Sequence, residues 1–364
     1  MPHPDGQDNS NLELVAKRFS TYVLPGRVTD PLACIAEARD ARDVGLGGVW
    51  LSERYANKEP AVLGGVIANA VPGMRFAGTF YAHMRHPIVT ASISNLLQSI
   101  TGDRFTLVLA RASEQFFKGF GAPSLTLAYL RDSIGIYRQL WRGEAVDYEG
   151  PVGKLEGLKI TDFYDGPPPP IVFTAMGPKA LAMGGSHCDG VLLHPFLTPE
   201  AVGRSATAVR AAAEKAGRDP ASVRIVANVV VAPDLPRDEE DAIVAGRAVT
   251  YLQSAFIGPI LAELNNWDPA ELARLREHPS IASHTGGIVS QKMTREQLVE
   301  AGLTLPKEWL QTGAVAGSAE ACAHRLCDYL AAGADEILLH GSPPGAMGGL
   351  TKALGPLLSH QQKA

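Results

Sequence analysis

The chain has few of the features that mark several common classes of protein. Its 364 residues include only four cysteines, Cys34, Cys188, Cys322 and Cys327, and their spacing matches no metal-binding motif. No run approaches the roughly 18 apolar residues of a membrane helix, and residues 1–12 lack the basic start and apolar core of a signal peptide. We therefore expect reduced thiols and a cytoplasmic protein without a membrane span.

Charge and motif content argue against further classes. A formal net charge of −5 gives no electrostatic case for binding nucleic acid or an anionic membrane surface. The chain has no phosphate-binding P-loop, no Gly-x-Gly-x-x-Gly after a strand, and no Gly-x-Ser-x-Gly nucleophile elbow. These absences make a P-loop nucleotidase, a Rossmann nicotinamide enzyme and an α/β-hydrolase poor candidates. We expect a small-molecule substrate, and neither nucleic acid nor a membrane as a partner.

The most informative stretch is a predicted strand-helix-strand unit between Arg75 and Ser113. An apolar run ends in polar and aromatic residues at Thr79 to His83, and Pro87 then suits the first position of a helix. Apolar residues recur at helical spacing as far as Ile100, and a second buried run begins at Phe105. Such a unit implies a right-handed crossover between parallel strands.

The same alternation of strand and helix continues along the chain. Eight such units, with a hairpin over 145–160 and an insertion over 257–312 after strand 7, predict an α/β fold, a (β/α)8 TIM barrel. We expect residues 1–12 to be a disordered tail and residues 13–364 to form one domain. The insertion consists of short amphipathic pieces and is a possible lid over the site.

Polar residues collect at the predicted strand ends, which form the active face of such a barrel. Among the three strand-end histidines, His83 is the leading candidate for a direct role. A metal-dependent barrel hydrolase would need a His-x-His pair on strand 1, which reads Phe-Ser-Thr-Tyr-Val over 19–23, so no metal site is predicted. The strand-end set comprises Tyr22, Glu53, Arg54, Thr79, Tyr81, His83, Arg111, Ser113, Glu114, His194 and His340.

A second informative stretch follows predicted strand 5. Gly177 and Pro178 open a helix there, which directs backbone N–H groups and the positive end of the helix dipole outward. Such a helix start is a natural anion-binding site. An ordinary strand-to-helix turn is the alternative interpretation.

Three sequence motifs, in their order along the chain, resemble those of the luciferase-like monooxygenase superfamily, in particular of its branch that uses the deazaflavin coenzyme F-420. They are the tripeptide Arg85-His86-Pro87, the turn Gly102-Asp103-Arg104-Phe105 and the strand from Leu107 to Ala112. The resemblance covers roughly residues 15–345. Two positions depart from the family: Ala110-Arg111-Ala112 replaces Gly-Arg-Gly, and Glu53-Arg54 replaces an Asp-His pair that contacts the coenzyme ring.

The resemblance implies where the coenzyme and the catalytic groups would lie. The coenzyme ring would rest against the end of strand 3, where the family commonly has a non-proline cis peptide, here at Thr79-Phe80 or the next bond. His83 would supply a proton, with Glu53 as the alternative acid and Arg54 beside it. The implied coenzyme-binding residues are Thr79, Phe80, Tyr81, Ala110, Arg111, Ala112, Ser113, Glu114, Met176, Gly177, Pro178 and Lys179.

The implied activity is an F-420-dependent oxidoreductase that transfers a hydride between the deazaflavin and a small organic substrate, acting as a homodimer. An FMN-dependent monooxygenase on the same scaffold is one alternative, and a degenerate cofactor-binding barrel without catalysis is another. An apolar substrate is favoured because the expected pocket walls are aromatic: Phe80, Tyr81, Phe116, Phe117 and Phe196.

Overall fold

A parallel β-barrel surrounded by helices forms the framework of the protein. The computed structural model describes residues 4–26, 28–54, 57–111, 117, 121–122, 125–162, 164–283 and 292–361. In chain order the strands are β1 Phe19–Tyr22, β2 Gly48–Ser52, β3 Arg75–Phe80, β4 Phe105–Leu109, β5 Val146–Gly150, β6 Gly153–Leu158, β7 Ile171–Ala175, β8 Gly190–Leu193, β9 Arg224–Pro233, β10 Ala314–Gly317 and β11 Glu336–Gly341.

The helices lie between and after these strands. They are α1 Pro4–Arg18, α2 Ala33–Asp43, α3 Pro60–Ala70, α4 Pro87–Thr101, α5 Leu127–Trp141, α6 Pro178–His187, α7 Pro199–Lys215, α8 Arg237–Leu252, α9 Ile257–Asn265, α10 Ala270–Glu277, α11 Pro279–Ala282, α12 Arg295–Gly302, α13 Lys307–Gly313, α14 Ala319–Ala331 and α15 Gly348–Gln361. Three 3-10 turns add Ala82–Met84, Pro220–Ser222 and Pro344–Met347.

The barrel closes in the order β1, β2, β3, β4, β7, β8, β9, β11, with β11 returning to β1. Every neighbouring pair in this ring is parallel. The antiparallel β5–β6 hairpin lies outside it, as the glycine-spaced runs of 145–160 predicted. The predicted TIM barrel is confirmed.

One strand was not predicted. β9 is ten residues long, and β8 pairs only with its first part, Arg224 to Ala227. β10, the strand after the insertion, pairs in parallel with its last part, Val230 to Pro233. A four-residue strand of alanine, valine and glycine carries no alternation of polar and apolar residues, so the sequence gave no local signal for it.

Residues 4–12 are helical rather than disordered. The expectation of a disordered tail over 1–12 is wrong for residues 4–12, which lie in α1. Val15 on this helix is fully buried, and Asn11 accepts a hydrogen bond from Ser359 of α15. The carbonyl oxygen of Ala16 accepts from Arg75 at 2.8 Å at the start of β3. The helix is stabilised by residues far away in sequence, which local composition does not reveal.

A network of charges occupies the amino-terminal end of the barrel. Glu336, at the start of β11, is only 2% exposed. Its carboxylate accepts a hydrogen bond from the Ser20 hydroxyl and pairs with Arg224 at 3.2 Å and Arg75 at 3.5 Å. The buried carboxylate is therefore paired on several sides, as a buried charge requires.

The insertion is fixed to the barrel by a buried amide. Asn265, at the end of α9, donates from Nδ2 to the carbonyl of Phe196 at 2.7 Å and accepts from the Thr198 N–H at 3.0 Å. Trp267 and Trp309, both buried, stack with ring centroids 4.7 Å apart. Two ends of the insertion thus pack together beside the end of β8.

The four cysteines are all buried and unpaired. Across the described ranges, no helix is long and apolar enough to cross a membrane.

Candidate functional site

A layer of side chains closes the barrel below its carboxyl-terminal mouth. Because side chains alternate along a strand, the residue two positions further on each strand points into the mouth itself. The closing layer is formed by Trp50, Ala77, Val108, Val172, Leu192, Val226 and Leu338, with Tyr22 packed against it. The alternation then assigns to the mouth Ser52, Thr79, Ala110, Thr174, His194, Asn228 and His340.

Several of these mouth residues carry polar atoms without a partner. Thr79 is 5% exposed, His340 7% and Asn228 8%. Within the described part of the chain, Thr79 Oγ1, Asn228 Oδ1 and His340 Nδ1 have no hydrogen-bond partner. Buried polar atoms are almost always paired, and an unpaired one costs about 1–3 kcal/mol. Three such atoms around one mouth indicate a ligand-binding site.

An aromatic and imidazole group surrounds His340. The Tyr251 hydroxyl lies 3.2 Å from His340 Nε2, and the Tyr22 ring packs edge-on to His340 at 5.0 Å. His194 packs edge-on to Tyr251 at 4.8 Å. Burial lowers the pKa of His194 to about 4. Burial, together with the nearby Arg247, lowers the pKa of His340 well below its usual value. Both imidazoles are therefore neutral at pH 7.

Glu53, immediately after β2, is completely engaged by its neighbours. It is 1% exposed, its Oε2 accepts the Tyr81 N–H at 3.0 Å, and its Oε1 pairs with Arg85 Nη2. Arg85 also pairs with Glu59 at 2.9 Å. Arg54 donates from Nη1 to the Glu53 carbonyl at 2.8 Å. This network fixes the backbone where the chain leaves β3.

His83 lies in the 3-10 turn that follows β3. It is 7% exposed, and neither ring nitrogen has a partner among the described residues. Its ring meets Phe117 edge-on at 4.3 Å, and Tyr81 meets the same ring at 4.9 Å. Burial lowers the pKa of His83 below its usual value. The side chain is therefore a neutral imidazole with a donor and an acceptor available.

The segment after β4 contributes a small side chain to this side of the mouth. Ala110 is buried against Tyr81 and Phe117, and its N–H donates to the Phe80 carbonyl at 3.0 Å. Arg111 is exposed. Ala112, Ser113 and Glu114, also predicted to bind the coenzyme, lie outside the described residues, as does Phe116.

The turn after β7 begins α6 as the sequence predicted. Gly177 caps the helix, and its carbonyl accepts the N–H groups of Ala180 and Leu181 at 3.0 Å each. Pro178 and Lys179 are exposed, whereas Met176 packs partly against the core. β7 pairs with β4, so this turn and the segment after Leu109 leave the same rim of the barrel side by side.

Two details of the prediction are corrected. The described residues contain no cis peptide bond, so the one expected at Thr79-Phe80 or the next bond is absent. β3 instead runs regularly to Phe80, which pairs with Leu109 of β4. Phe80 is 1% exposed and packs in the main hydrophobic core, so it does not form the expected aromatic wall of the mouth. Phe196 is also 1% exposed, and its ring lies 6.2 Å from the ring of Tyr251.

The model of the luciferase-like monooxygenase family matches residues 19–336. The chain belongs to this family. It is 28% identical over 323 residues to the 5,10-methylenetetrahydromethanopterin reductase of Methanolobus tindarius. The aligned region covers 87% of this chain and 92% of that protein. It is 23% identical over 298 residues to a phthiodiolone/phenolphthiodiolone dimycocerosates ketoreductase of Mycobacterium tuberculosis, covering 79% of this chain and 74% of that protein.

Solved structures show the same luciferase-like fold. The coenzyme F-420-dependent tetrahydromethanopterin reductase from Methanopyrus kandleri superposes with a TM-score of 0.77 at 18% identity, over 94% of this chain and 99% of that one. An F-420-dependent secondary alcohol dehydrogenase in complex with an F-420-acetone adduct has a TM-score of 0.71 at 18% identity, with the same coverage of both chains. The likeness therefore extends over nearly the entire luciferase-like barrel.

The sequence-based prediction did not select two residues of this luciferase-like mouth, Asn228 and Tyr251. Asn228 interrupts an otherwise apolar run from Ile225 to Val231, and this interruption is a signal that could have found it. Tyr251 lies on α8, and only the packing of that helix brings it to His340. The described ranges contain no group of three or more His, Cys, Asp or Glu residues that could hold a metal ion.

Proposed function

We propose that this luciferase-like protein is an F-420-dependent oxidoreductase that transfers a hydride between the deazaflavin and a small organic substrate. The observation that carries the proposal is the set of buried, unpartnered atoms of Thr79, Asn228 and His340 around one mouth. Two archaeal relatives, at 28% and 27% identity, are named 5,10-methylenetetrahydromethanopterin reductases. The family, the fold and the chemistry of the mouth therefore support the same class of reaction.

The residues of the mouth fit a polar, planar coenzyme. The hydroxyl of Thr79 and the amide oxygen of Asn228 offer hydrogen bonds that the protein leaves open. When bound, the deazaflavin supplies the carbon that accepts or delivers the hydride. Its phosphate would lie at the start of α6, where a side chain added to Gly177 would meet nothing within 4 Å.

Charged and polar groups beside that turn complete the proposed coenzyme site. Lys179 and Arg111 are exposed and available as counter-charges for the phosphate. Met176 and Pro178 flank Gly177, while Phe80 ends β3 and Tyr81 follows it. Ala112, Ser113 and Glu114 lie outside the described residues, and we include them in the proposed coenzyme site on the basis of the sequence alone.

His83 is the proposed proton donor or acceptor for the substrate. Because burial lowers its pKa, the imidazole is neutral at pH 7 and offers one N–H and one free lone pair. Glu53, the alternative acid, has both carboxylate oxygens occupied by Arg85 and the Tyr81 N–H. We therefore propose that Glu53 positions the end of β3 and that Arg54, bonded to its carbonyl, supports it.

The reacting part of the substrate would lie in an apolar corner. Tyr81, Ala110 and Phe117 form a small buried cluster on the side of the mouth that holds His83. Such a corner excludes water from a hydride-transfer site. We retain the 257–312 insertion as a proposed cover, because Asn265 fixes α9 beside the end of β8.

An FMN-dependent enzyme on the same scaffold is the second candidate. A riboflavin lyase solved with modified FMN and riboflavin has the same fold, with a TM-score of 0.69 at 14% identity. The two candidates differ in coenzyme rather than in protein architecture. A barrel that binds neither coenzyme would be the degenerate alternative.

Fluorescence titration of the purified protein with F-420 and with FMN distinguishes these possibilities. We expect saturable binding of F-420, much weaker binding of FMN, and weaker F-420 binding in Lys179→Gln than in the matched surface variant Lys352→Gln. Tight binding of FMN alone would replace the proposed coenzyme. Binding of neither would support a degenerate barrel.

We further propose a homodimer formed through the outer faces of α3 and α4. Val62 on α3 is 65% exposed, and Val89, Leu96 and Ile100 on α4 are 44%, 61% and 47% exposed. A side chain added to Gly65 of α3 would contact Ile100 at 3.8 Å, so these apolar positions form one patch across the two helices. Contiguous apolar patches of this kind mark interfaces.

Light scattering coupled to gel filtration tests the dimer. Leu96→Arg should shift the protein to a monomer, whereas Leu303→Arg, at another exposed leucine, should not. A dimer that persists in Leu96→Arg would exclude this patch. A cytoplasmic location remains part of the proposal and agrees with four buried, unpaired cysteines.

A further inference from the structure

One wall of the mouth carries a cluster of positive charge. Arg54, Lys58 and Arg247 lie on this side, and we call them the cationic wall. Ile243, Arg247 and Tyr251 are spaced four residues apart on α8 and therefore share one face of the helix. A Cβ atom added to Gly341 would lie 2.8 Å from Ile243 Cγ2, so Ile243 packs against this glycine. The Tyr251 hydroxyl reaches His340. Arg247, between them, is thus held against the end of β11.

Lys58 and the loop after β1 form the other part of this wall. The Lys58 ammonium donates to the carbonyls of Leu24 and Gly26 at 2.5 Å each. A Cβ atom added to Gly26 would lie 3.7 Å from Arg247 Nη2. The Arg247 side chain therefore reaches the same loop from α8. Arg54 pairs through its backbone with Lys58 in a short β-bridge. The three cations therefore surround one loop and the end of β11.

The charges of this wall lie close enough to Lys58 to act on its ammonium group. Burial, followed by the charges of Arg54 and Arg247, lowers the pKa of Lys58 to about 8. Arg247, Lys58 and Arg54 also oppose protonation of His340. The electrostatic potential at this side of the mouth is therefore positive.

Nearby carboxylates offset the charge of the wall only in part. Glu37 faces Lys58 but already accepts the Leu24 N–H, and burial raises its pKa. Glu53 is paired with Arg85. Among the residues that the structure describes, Arg247 has no hydrogen-bond or ion-pair partner, although it is half-buried. His340 Nδ1, in a side chain that is 7% exposed, is also unpartnered.

We propose that the cationic wall binds an anionic group of the substrate, a carboxylate or a phosphate, held by the Arg247 guanidinium beside Arg54 and His340. Guanidinium groups bind both anions through two parallel hydrogen bonds. This inference rests on the proposed function, because it assigns the remaining part of the same mouth to the substrate. The substrate would then place its reacting carbon near His83 and its anionic group near the end of β11.

Titration of the free protein with simple anions tests the wall without requiring turnover. In 15N-histidine-labelled protein at constant ionic strength in chloride, the His340 ring signals are followed during addition of inorganic phosphate, and separately of succinate. His340→Gln assigns the signals. We expect saturable shifts for at least one anion, and the anion with the tighter binding identifies the group as phosphate or carboxylate.

Variants locate the binding. Arg247→Gln should weaken the apparent affinity by about tenfold or more, the usual effect of losing a charge-assisted hydrogen bond. Arg247→Lys should weaken it less. Arg237→Gln on the same helix, whose side chain is 77% exposed and paired with Glu240 and Asp241, should leave it unchanged. If phosphate binds at the start of α6 instead, Lys179→Gln should weaken its binding.

The possible results either support or overturn the proposal. Loss of binding in Arg247→Gln with normal binding in Lys179→Gln supports it. Absence of any saturable His340 shift, equal affinity in Arg247→Gln, or loss only in Lys179→Gln overturns it. If the protein fails to bind F-420 yet shows the Arg247-dependent shift, the proposed function fails while the anion site stands.

Discussion

The buried polar side chains at the two ends of the barrel differ in whether they have hydrogen-bond partners. Both have polar side chains at inward-facing strand positions. At the amino-terminal end, Glu336 is satisfied by Ser20, Arg75 and Arg224. At the carboxyl-terminal end, the atoms of Thr79 and Asn228 remain without partners in the described part of the protein. Partnered polar groups stabilise the barrel, whereas unpartnered ones are available to a ligand.

The difference follows from where the chain can provide partners. At the amino-terminal end, α1 covers the barrel and the Ala16 carbonyl helps to orient Arg75. At the carboxyl-terminal end, the strands lead into loops, and the ligand is expected to complete the hydrogen bonds. Substitutions at the two ends should therefore separate stability from activity.

The largest expected effect is on turnover, at the carboxyl-terminal end. His83→Ala removes the proposed proton donor, and we expect kcat with F-420 to fall by about 10²–10⁴-fold, the usual contribution of a general acid or base. Affinity for F-420, measured by fluorescence, should change little. The control is His324→Ala on the exposed face of α14. Unchanged turnover in His83→Ala would remove this residue from the mechanism.

The second effect is on stability, at the amino-terminal end. Glu336→Ala leaves Arg75 and Arg224 without their shared carboxylate, and their side chains are each 32% exposed. We expect the free energy of unfolding in urea to fall by about 3 kcal/mol, the lower end of the range for breaking a buried ion pair. Binding of F-420 should be retained. A loss typical of an exposed surface substitution would show that the network contributes little.

The third effect is loss of stability in acid. Burial lowers the pKa of His194 from 6.5 to about 4, so the unfolded chain takes up a proton in this range before the folded protein does. Stability from His194 is complete above pH 6.5 and should fall by up to about 3 kcal/mol as the pH approaches 4. His340 acts in the same direction.

Urea unfolding at several pH values measures this acid dependence. His194→Gln should show a smaller decrease in stability between pH 7 and pH 4 than the original protein, whereas the exposed control His324→Gln should not. Identical pH dependence in His194→Gln would mean that other groups dominate.

The smallest effect contrasts two threonines. Thr79→Val removes a hydroxyl without a partner, so stability should change by less than about 1 kcal/mol, while F-420 affinity should weaken by roughly tenfold. Thr101→Val removes a hydroxyl that donates to the Leu97 carbonyl at 2.7 Å and should lower stability without affecting binding. If both variants behaved alike, the distinction between the two ends would lose its support.

Local sequence predicted the alternating architecture better than it predicted the details of the mouth. The apolar runs that became β3, β4 and β9 are buried on both faces, and this requirement is visible in sequence. It also located Thr79 and His83 near strand ends. The helical state of residues 4–12 and the strand β10 were missed, because both depend on contacts with distant segments.

The roles of polar residues were harder to predict than their positions. Glu53 was a candidate acid because it follows a strand. It pairs with Arg85 across 32 positions of sequence, and we therefore propose a positioning role for it. Tyr251 and Arg247 were overlooked because they lie on a helix, and only the packing of α8 directs them to the mouth.

The sequence by itself determined the order of strands and helices and the rim on which polar residues collect, because periodicity and strand direction are local properties. Only the tertiary structure decided which of those polar groups are paired and which are open. Pairing depends on distances between segments that meet only after the barrel closes, as Glu336 and His340 show at opposite ends of β11.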